Sequence, residues 1–91
     1  MKRLERIARY EQILDRAEAV ARQAEEALDA YDAIQAELKE LEKYYTGREW
    51  KADFAADAAG KLPAGLKRGV LSEDGIDGVL ERFRELKERL G

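Results

Sequence analysis

Neither cysteine nor histidine occurs in this chain. Their absence removes disulfides, thiolate nucleophiles and imidazole acid–base chemistry, and leaves carboxylates as the side chains able to gather round a metal ion. Proline occurs once, at Pro63, and six of the seven glycines fall at or after Gly60, with Gly47 the exception. No run approaches the roughly 20 apolar residues that span a bilayer. The opening MKRLERIARYEQ has no apolar stretch of the kind a signal peptide carries. The expectation is a soluble, cytoplasmic protein with no cofactor.

What the chain does have is one long periodic pattern. Ile13, Ala17, Val20, Ala24, Ala27, Tyr31, Ile34, Leu38, Leu41 and Tyr45 recur at gaps of four and three, and neither Gly nor Pro interrupts them before Thr46. That spacing keeps one side of an α-helix apolar. It predicts a helix over about 2–45, on the order of 65 Å long at about 1.5 Å per residue. Ile7, Leu14, Ala21 and Leu28 form a second line seven apart, which widens the face beyond a thin coiled-coil seam and suits a bundle. The alanines at 17, 21, 24 and 27 form a narrow waist between bulkier residues.

Thr46-Gly47-Arg48-Glu49 reads as a corner, and its T-x-x-E spacing predicts a capping box in which Thr46 and Glu49 cap the next helix. That second helix is expected over about 47–59, with Gly60 as its stop. Trp50 and Phe54, four apart, are placed to fold back onto Leu41, Tyr44 and Tyr45. A loop over 60–71 follows, with Leu62, Leu66, Val70 and Leu71 expected to point inward. Ser72 is the predicted N-cap of a third helix over about 73–90, Leu71 and Ile76 its staple, and Ile76, Val79, Phe83, Leu86 and Leu90 its stripe with Leu80 beside it. The fold expected is therefore all-α and a single domain over 1–91. A long N-terminal helix carries two shorter helices packed back along it as a three-helix bundle or helical hairpin, expected to form an oligomer because so small a core is marginal alone.

The stretch from Glu42 to Leu80, above all YYTGREWKADFAADAAGKLPAGLKRGVLSEDGIDGVL, resembles a family of short bacterial helical proteins catalogued only as a domain of unknown function, and the long charged helix before it resembles that family's N-terminal half, so the resemblance covers essentially the whole chain. The features that carry the resemblance are Tyr44-Tyr45, Trp50, Gly60-Lys61-Leu62-Pro63 and Lys67-Arg68-Gly69-Val70-Leu71-Ser72-Glu73-Asp74. The resemblance implies a helical protein and brings no activity, cofactor or catalytic residue. Members of the family often extend the last helix further than Gly91, and the resemblance then implies that more of the first stripe is left uncovered here.

Charge decides among function classes. Residues 1–10 carry four bases and one acid, residues 11–45 ten acids and four bases, and residues 60–71 Lys61, Lys67 and Arg68 with no acid. With a net charge of −3 and no continuous basic stripe, nucleic acid is disfavoured as a partner. The carboxylates Glu25, Glu26, Asp29, Asp32, Asp53 and Asp57 are the only metal-ligand candidates, and on long helices such acids read as a solvated face. Gly60-Lys61 resembles the end of a phosphate-binding loop, but the upstream glycine is missing and Leu62 stands where Ser or Thr would hold magnesium.

Three readings remain. The first is a non-catalytic protein–protein interaction or assembly module that buries Ile7, Ile13, Leu14, Ala17, Ala21 and Ala24 against a second copy or another helical protein. The second is a small helical enzyme of the chorismate mutase type with an Arg- and Lys-lined pocket, prompted by Arg9, Arg16 and Arg22. The third is weak anion or nucleic-acid binding through Lys61, Lys67 and Arg68 before the third helix. A membrane-surface role of the N-terminal turn would rest on Met1, Leu4 and Ile7, too few apolar groups for firm insertion. Nothing in the residues alone selects a substrate.

Overall fold

The computed structural model of the protein describes residues 2–91; Met1, named above with Leu4 and Ile7, lies outside them. The fold is all-α. Helix α1 runs Arg3–Tyr45, α2 runs Arg48–Ala58, a single 3-10 turn covers Gly69–Leu71, and α3 runs Glu73–Leu90. Two compact units divide the chain, the first ending at Gln35 and the second running from Ala36 to Gly91.

The first unit is helix throughout from Arg3, as expected of a stretch rich in Ala, Glu and Arg with no breaker. Almost all of its side chains are exposed. Among residues 2–35 only Ala19, Tyr31 and Gln35 are even half-buried. The Gln35 amide donates to the Tyr31 carbonyl one turn back at 2.9 Å.

The second unit holds the core. Trp50, Leu71, Ile76 and Leu80 are buried together, and Leu41, Tyr44, Tyr45 and Leu62 pack partly buried against them. Trp50 meets the ring of Tyr45 edge-on at 4.9 Å and lies stacked on Phe54 at 5.1 Å. The aromatic elbow read from the sequence therefore forms, with Trp50 as its centre. Phe54 covers the indole from outside and stays 41% exposed.

The corner differs from the capping box expected of it. Gly47, not Thr46, sits at the N-cap of α2 and offers no side chain to cap it. Glu49 then falls at the second helical position rather than the third, out of phase with a box. The Thr46 hydroxyl instead donates backward to the Glu42 carbonyl at 3.0 Å, satisfying an acceptor at the end of α1. The far end of α2 closes as the sequence implies. Gly60 adopts a φ of 71°, its amide donates to the Asp57 carbonyl at 3.0 Å, and the Lys61 amide reaches the Ala56 carbonyl at 3.0 Å. These paired bonds are those of a Schellman stop, which needs a left-handed residue at this point.

Ser72 caps α3, its hydroxyl accepting from the Gly75 amide at 3.2 Å, with Glu73 and Asp74 in the first turn. Leu71 and Ile76 flank that cap and are both buried, which completes the staple. Two sequence expectations fail in the loop. Leu66 is 47% and Val70 39% exposed. Val70 turns its carbonyl inward, to accept from the Trp50 indole at 2.9 Å, so its side chain is directed out. On α3 the buried column is Ile76 and Leu80, with Phe83 half-buried, while Val79, Leu86 and Leu90 lie one column away and are exposed.

Candidate functional site

The residues put forward for association all lie in the first unit. Ile7 and Leu14 are each 51% exposed and Ile13 37%, and Ala17, Ala21 and Ala24 are exposed between them. Leu4, Tyr10, Val20 and Leu28 extend the exposed apolar surface along the same helix. A helix position spends apolar area on water only at a free-energy cost of about 25 cal/mol per Å². Contiguous exposed apolar surface of this kind is characteristic of interaction surfaces.

The arginines put forward for a catalytic pocket stand on that same stretch. Arg9 and Arg16 rim a shallow, open depression with Gln12 and Asp15, and Arg22 is not part of its lining. Successive turns of a single helix form it, so it has no opposing wall to exclude water, which electrostatic catalysis by positioned charges requires.

The basic loop of the second unit is put together in an unforeseen way. Arg68 is half-buried and forms an ion pair with Asp57 on α2. Its other terminal nitrogen donates to the Pro63 carbonyl at 2.7 Å, and its Nε to the Leu66 carbonyl at 3.4 Å. The guanidinium thus ties the loop to α2, its donors taken by Asp57 and two loop carbonyls. Lys61 and Lys67 are exposed. Only Arg68 of the three bases is drawn into the fold, so no cluster of three aims at one anion.

Carboxylates are likewise occupied within the second unit. Asp53 accepts from the Tyr44 hydroxyl at 2.7 Å, and Asp77 on α3 accepts from the Tyr45 hydroxyl at 3.1 Å. Bonding to Asp53 favours the protonated phenol and, with burial and the charges of Asp53 and Glu49, pushes the Tyr44 pKa up to about 12. Burial foremost, then the bond to Asp77 and the charges of Asp77, Glu73 and Asp74, raises that of Tyr45. Among the described residues no three carboxylates gather in a group that could hold a metal ion. An open hollow at the corner is rimmed by charges of both signs, Glu40 and Glu49 beside Lys43 and Arg48.

Sequence reasoning missed both the Arg68 clamp and the Tyr–Asp pairs. Tyr44-Tyr45 and the acids at Asp53, Asp57 and Asp77 were visible as residues. Their pairing depends on the path of the loop and on the angle at the corner, which local spacing does not encode.

Among the described residues, no helix is long and apolar enough to cross a membrane. The family described as "Domain of unknown function (DUF4298)" matches the chain over residues 7–90. No curated protein and no solved structure matches it.

Proposed function

The chain belongs to the DUF4298 family, whose description carries no activity, and we propose that it serves as a non-catalytic assembly module that associates through the apolar face of residues 3–35. The observation that supports this reading is the exposure of Leu4, Ile7, Tyr10, Leu14, Val20 and Leu28, between 44% and 80%, on a single uninterrupted helix. Burying those side chains between helices is worth roughly 1.5–3 kcal/mol each relative to leaving them in water. In this reading the bundle expected from the sequence is completed by coiled-coil-like packing in the assembled oligomer, in the cytoplasm of a bacterium.

Ala24→Glu tests it by placing a charge in the middle of the face. The parent should associate as its concentration rises, or retain a helical protein from a bacterial lysate. Ala24→Glu should do neither while keeping the parent's far-UV helicity and melting of the second unit. A parent that is folded and monomeric at all concentrations and retains no protein would overturn the module. Retention of a small anionic metabolite, lost in Arg9→Ala or Arg16→Ala, would replace it with the pocket reading.

A further inference from the structure

Helix α1 is 43 residues long and buries one side chain, Leu38, towards its C-terminal end. Over residues 2–30 every side chain is exposed except the half-buried Ala19. Among the described residues no ion pair forms within that stretch; the two that form, Arg68 with Asp57 and Arg84 with Glu81, lie in the second unit. Charged neighbours at helical spacing attract in some places, as Glu5 with Arg9 and Glu18 with Arg22, and repel in others, as Arg6 with Arg9 and Asp29 with Asp32, so they give no consistent support. Lys2 stands just before the helix, where its ammonium has no acceptor to offer the first free amides. What holds this stretch is its backbone bonds and the helix propensity of Ala, Glu and Arg.

The second unit is held differently. Its buried residues Trp50, Leu71, Ile76 and Leu80 come from three elements, and bonds from Trp50 to Val70 and from Tyr45 to Asp77 tie distant parts of the chain. Those interactions form and break together. Leu38 and the elbow anchor the C-terminal part of α1 in that unit, so the residues before it need no nucleus and are ordered by propagation, one backbone bond at a time.

We propose that residues 3–30 are a separate folding unit of lower stability, a helix that opens and reforms turn by turn within microseconds to seconds while the second unit stays folded. The proposal concerns the single chain and does not rest on the assembly reading. Its consequence for binding is direct. A molecule that covers the apolar face holds the helix closed by mass action, so occupancy of the face is read out as helix persistence, with the second unit unaffected.

The chain's single tryptophan makes the two units separately visible. Trp50 is buried in the second unit, so its fluorescence follows that unit, whereas far-UV circular dichroism follows helix in both. On heating a dilute sample, roughly a third of the ellipticity should be lost before the Trp50 emission begins to change, which a single cooperative transition does not allow. Gln23 is exposed and belongs to neither apolar line. Gln23→Gly should deepen the early loss yet move the Trp50 midpoint by less than about 2 °C, where a shared transition would move by several degrees. Amide exchange should likewise be at least about tenfold faster over residues 7–28 than around Trp50 and Ile76. Coincident transitions at every concentration, or a Trp50 midpoint that follows Gln23→Gly, would overturn the separate unit. A gap between the probes that closes as concentration rises supports both this unit and self-association, and a gap independent of concentration keeps the unit while counting against self-association.

Discussion

The indole nitrogen of Trp50 donates to the backbone carbonyl of Val70 at 2.9 Å, across twenty residues of chain. That bond, with the edge-on contact to Tyr45, fixes α2 against both the corner and the 3-10 turn. Trp50 is 7% exposed. Trp50→Ala removes the largest buried side chain and orphans the Val70 carbonyl, and should destabilise the second unit by roughly 3–5 kcal/mol. Trp50→Phe keeps most of the apolar area and should cost clearly less. Urea unfolding followed by circular dichroism distinguishes them, and equal melting of parent and Trp50→Ala would contradict the placement of the indole in the core.

Arg68 and Lys67 are neighbours in sequence and opposites in role. The Arg68 guanidinium is held by Asp57 and the Pro63 carbonyl, whereas the Lys67 side chain is exposed. The ion pair is partly open to solvent, with 38% and 24% of the two side chains exposed, so screening limits its worth. Arg68→Ala should therefore cost about 1 kcal/mol, mostly through the lost carbonyl contact and the unpaired Asp57, and Lys67→Ala should change stability by less than about 0.5 kcal/mol. Equal effects in thermal melts would contradict the clamp.

How much of this arrangement could be read in advance follows from the range of each interaction. The long helix, the stop at Gly60 and the cap at Ser72 depend on residues at most a few positions apart, so the chain announces them locally. The Trp50 elbow was also legible, because Tyr45 and Trp50 sit on either side of one short corner. The role of Arg68 was not legible in the same way. Its partners, eleven and five residues away, meet it only after Pro63 and the Schellman stop have turned the loop back on α2. The capping box failed by a single residue of phase, since helix α2 starts one position later than T-x-x-E requires. For the association surface the sequence supplied the residues and the structure their exposure.

The two hydroxyls at helix ends should respond differently to removal. Ser72 accepts from the Gly75 amide and satisfies a donor at the start of α3, so Ser72→Ala should cost about 1 kcal/mol. Thr46 caps nothing ahead of it, and its bond returns to a carbonyl of α1 at an exposed position. Thr46→Ala should fall within about 0.5 kcal/mol of the parent. Chemical denaturation of the two variants under one condition checks the contrast, and a larger loss at Thr46 would restore the capping box.

Two glycines early in α3 give a further contrast. A Cβ added at Gly78 meets nothing within 4 Å, so Gly78→Ala should stabilise α3 by up to about 1 kcal/mol through helix propensity. At Gly75 the same atom would stand 3.0 Å from the Gly69 carbonyl, where the 3-10 turn passes close to the helix. Gly75→Ala should therefore be less stable than Gly78→Ala. Melting temperatures that rise equally in both would show that the turn can move aside at no cost.

Tyr44 links stability to alkaline pH. An ordinary tyrosine, as in the unfolded chain, titrates near 10.0, and the folded one near 12, chiefly because Asp53 accepts its proton-bearing hydroxyl. A raised pKa in the folded state means that the folded protein holds a proton the unfolded one has released, so the contribution is full below pH 10 and declines as pH rises from 10 towards 12. Tyr45, raised in the same direction, adds to the decline. Tyr44→Phe should be less stable than the parent near neutrality, by an amount limited by solvent access to the bond, and its stability should fall less steeply above pH 10. Asp53→Asn should lower the pH at which tyrosinate absorbance appears, because the hydroxyl then loses a charged acceptor. A tyrosinate titration identical in the parent and in Asp53→Asn would show that the Tyr44–Asp53 bond does not persist in solution.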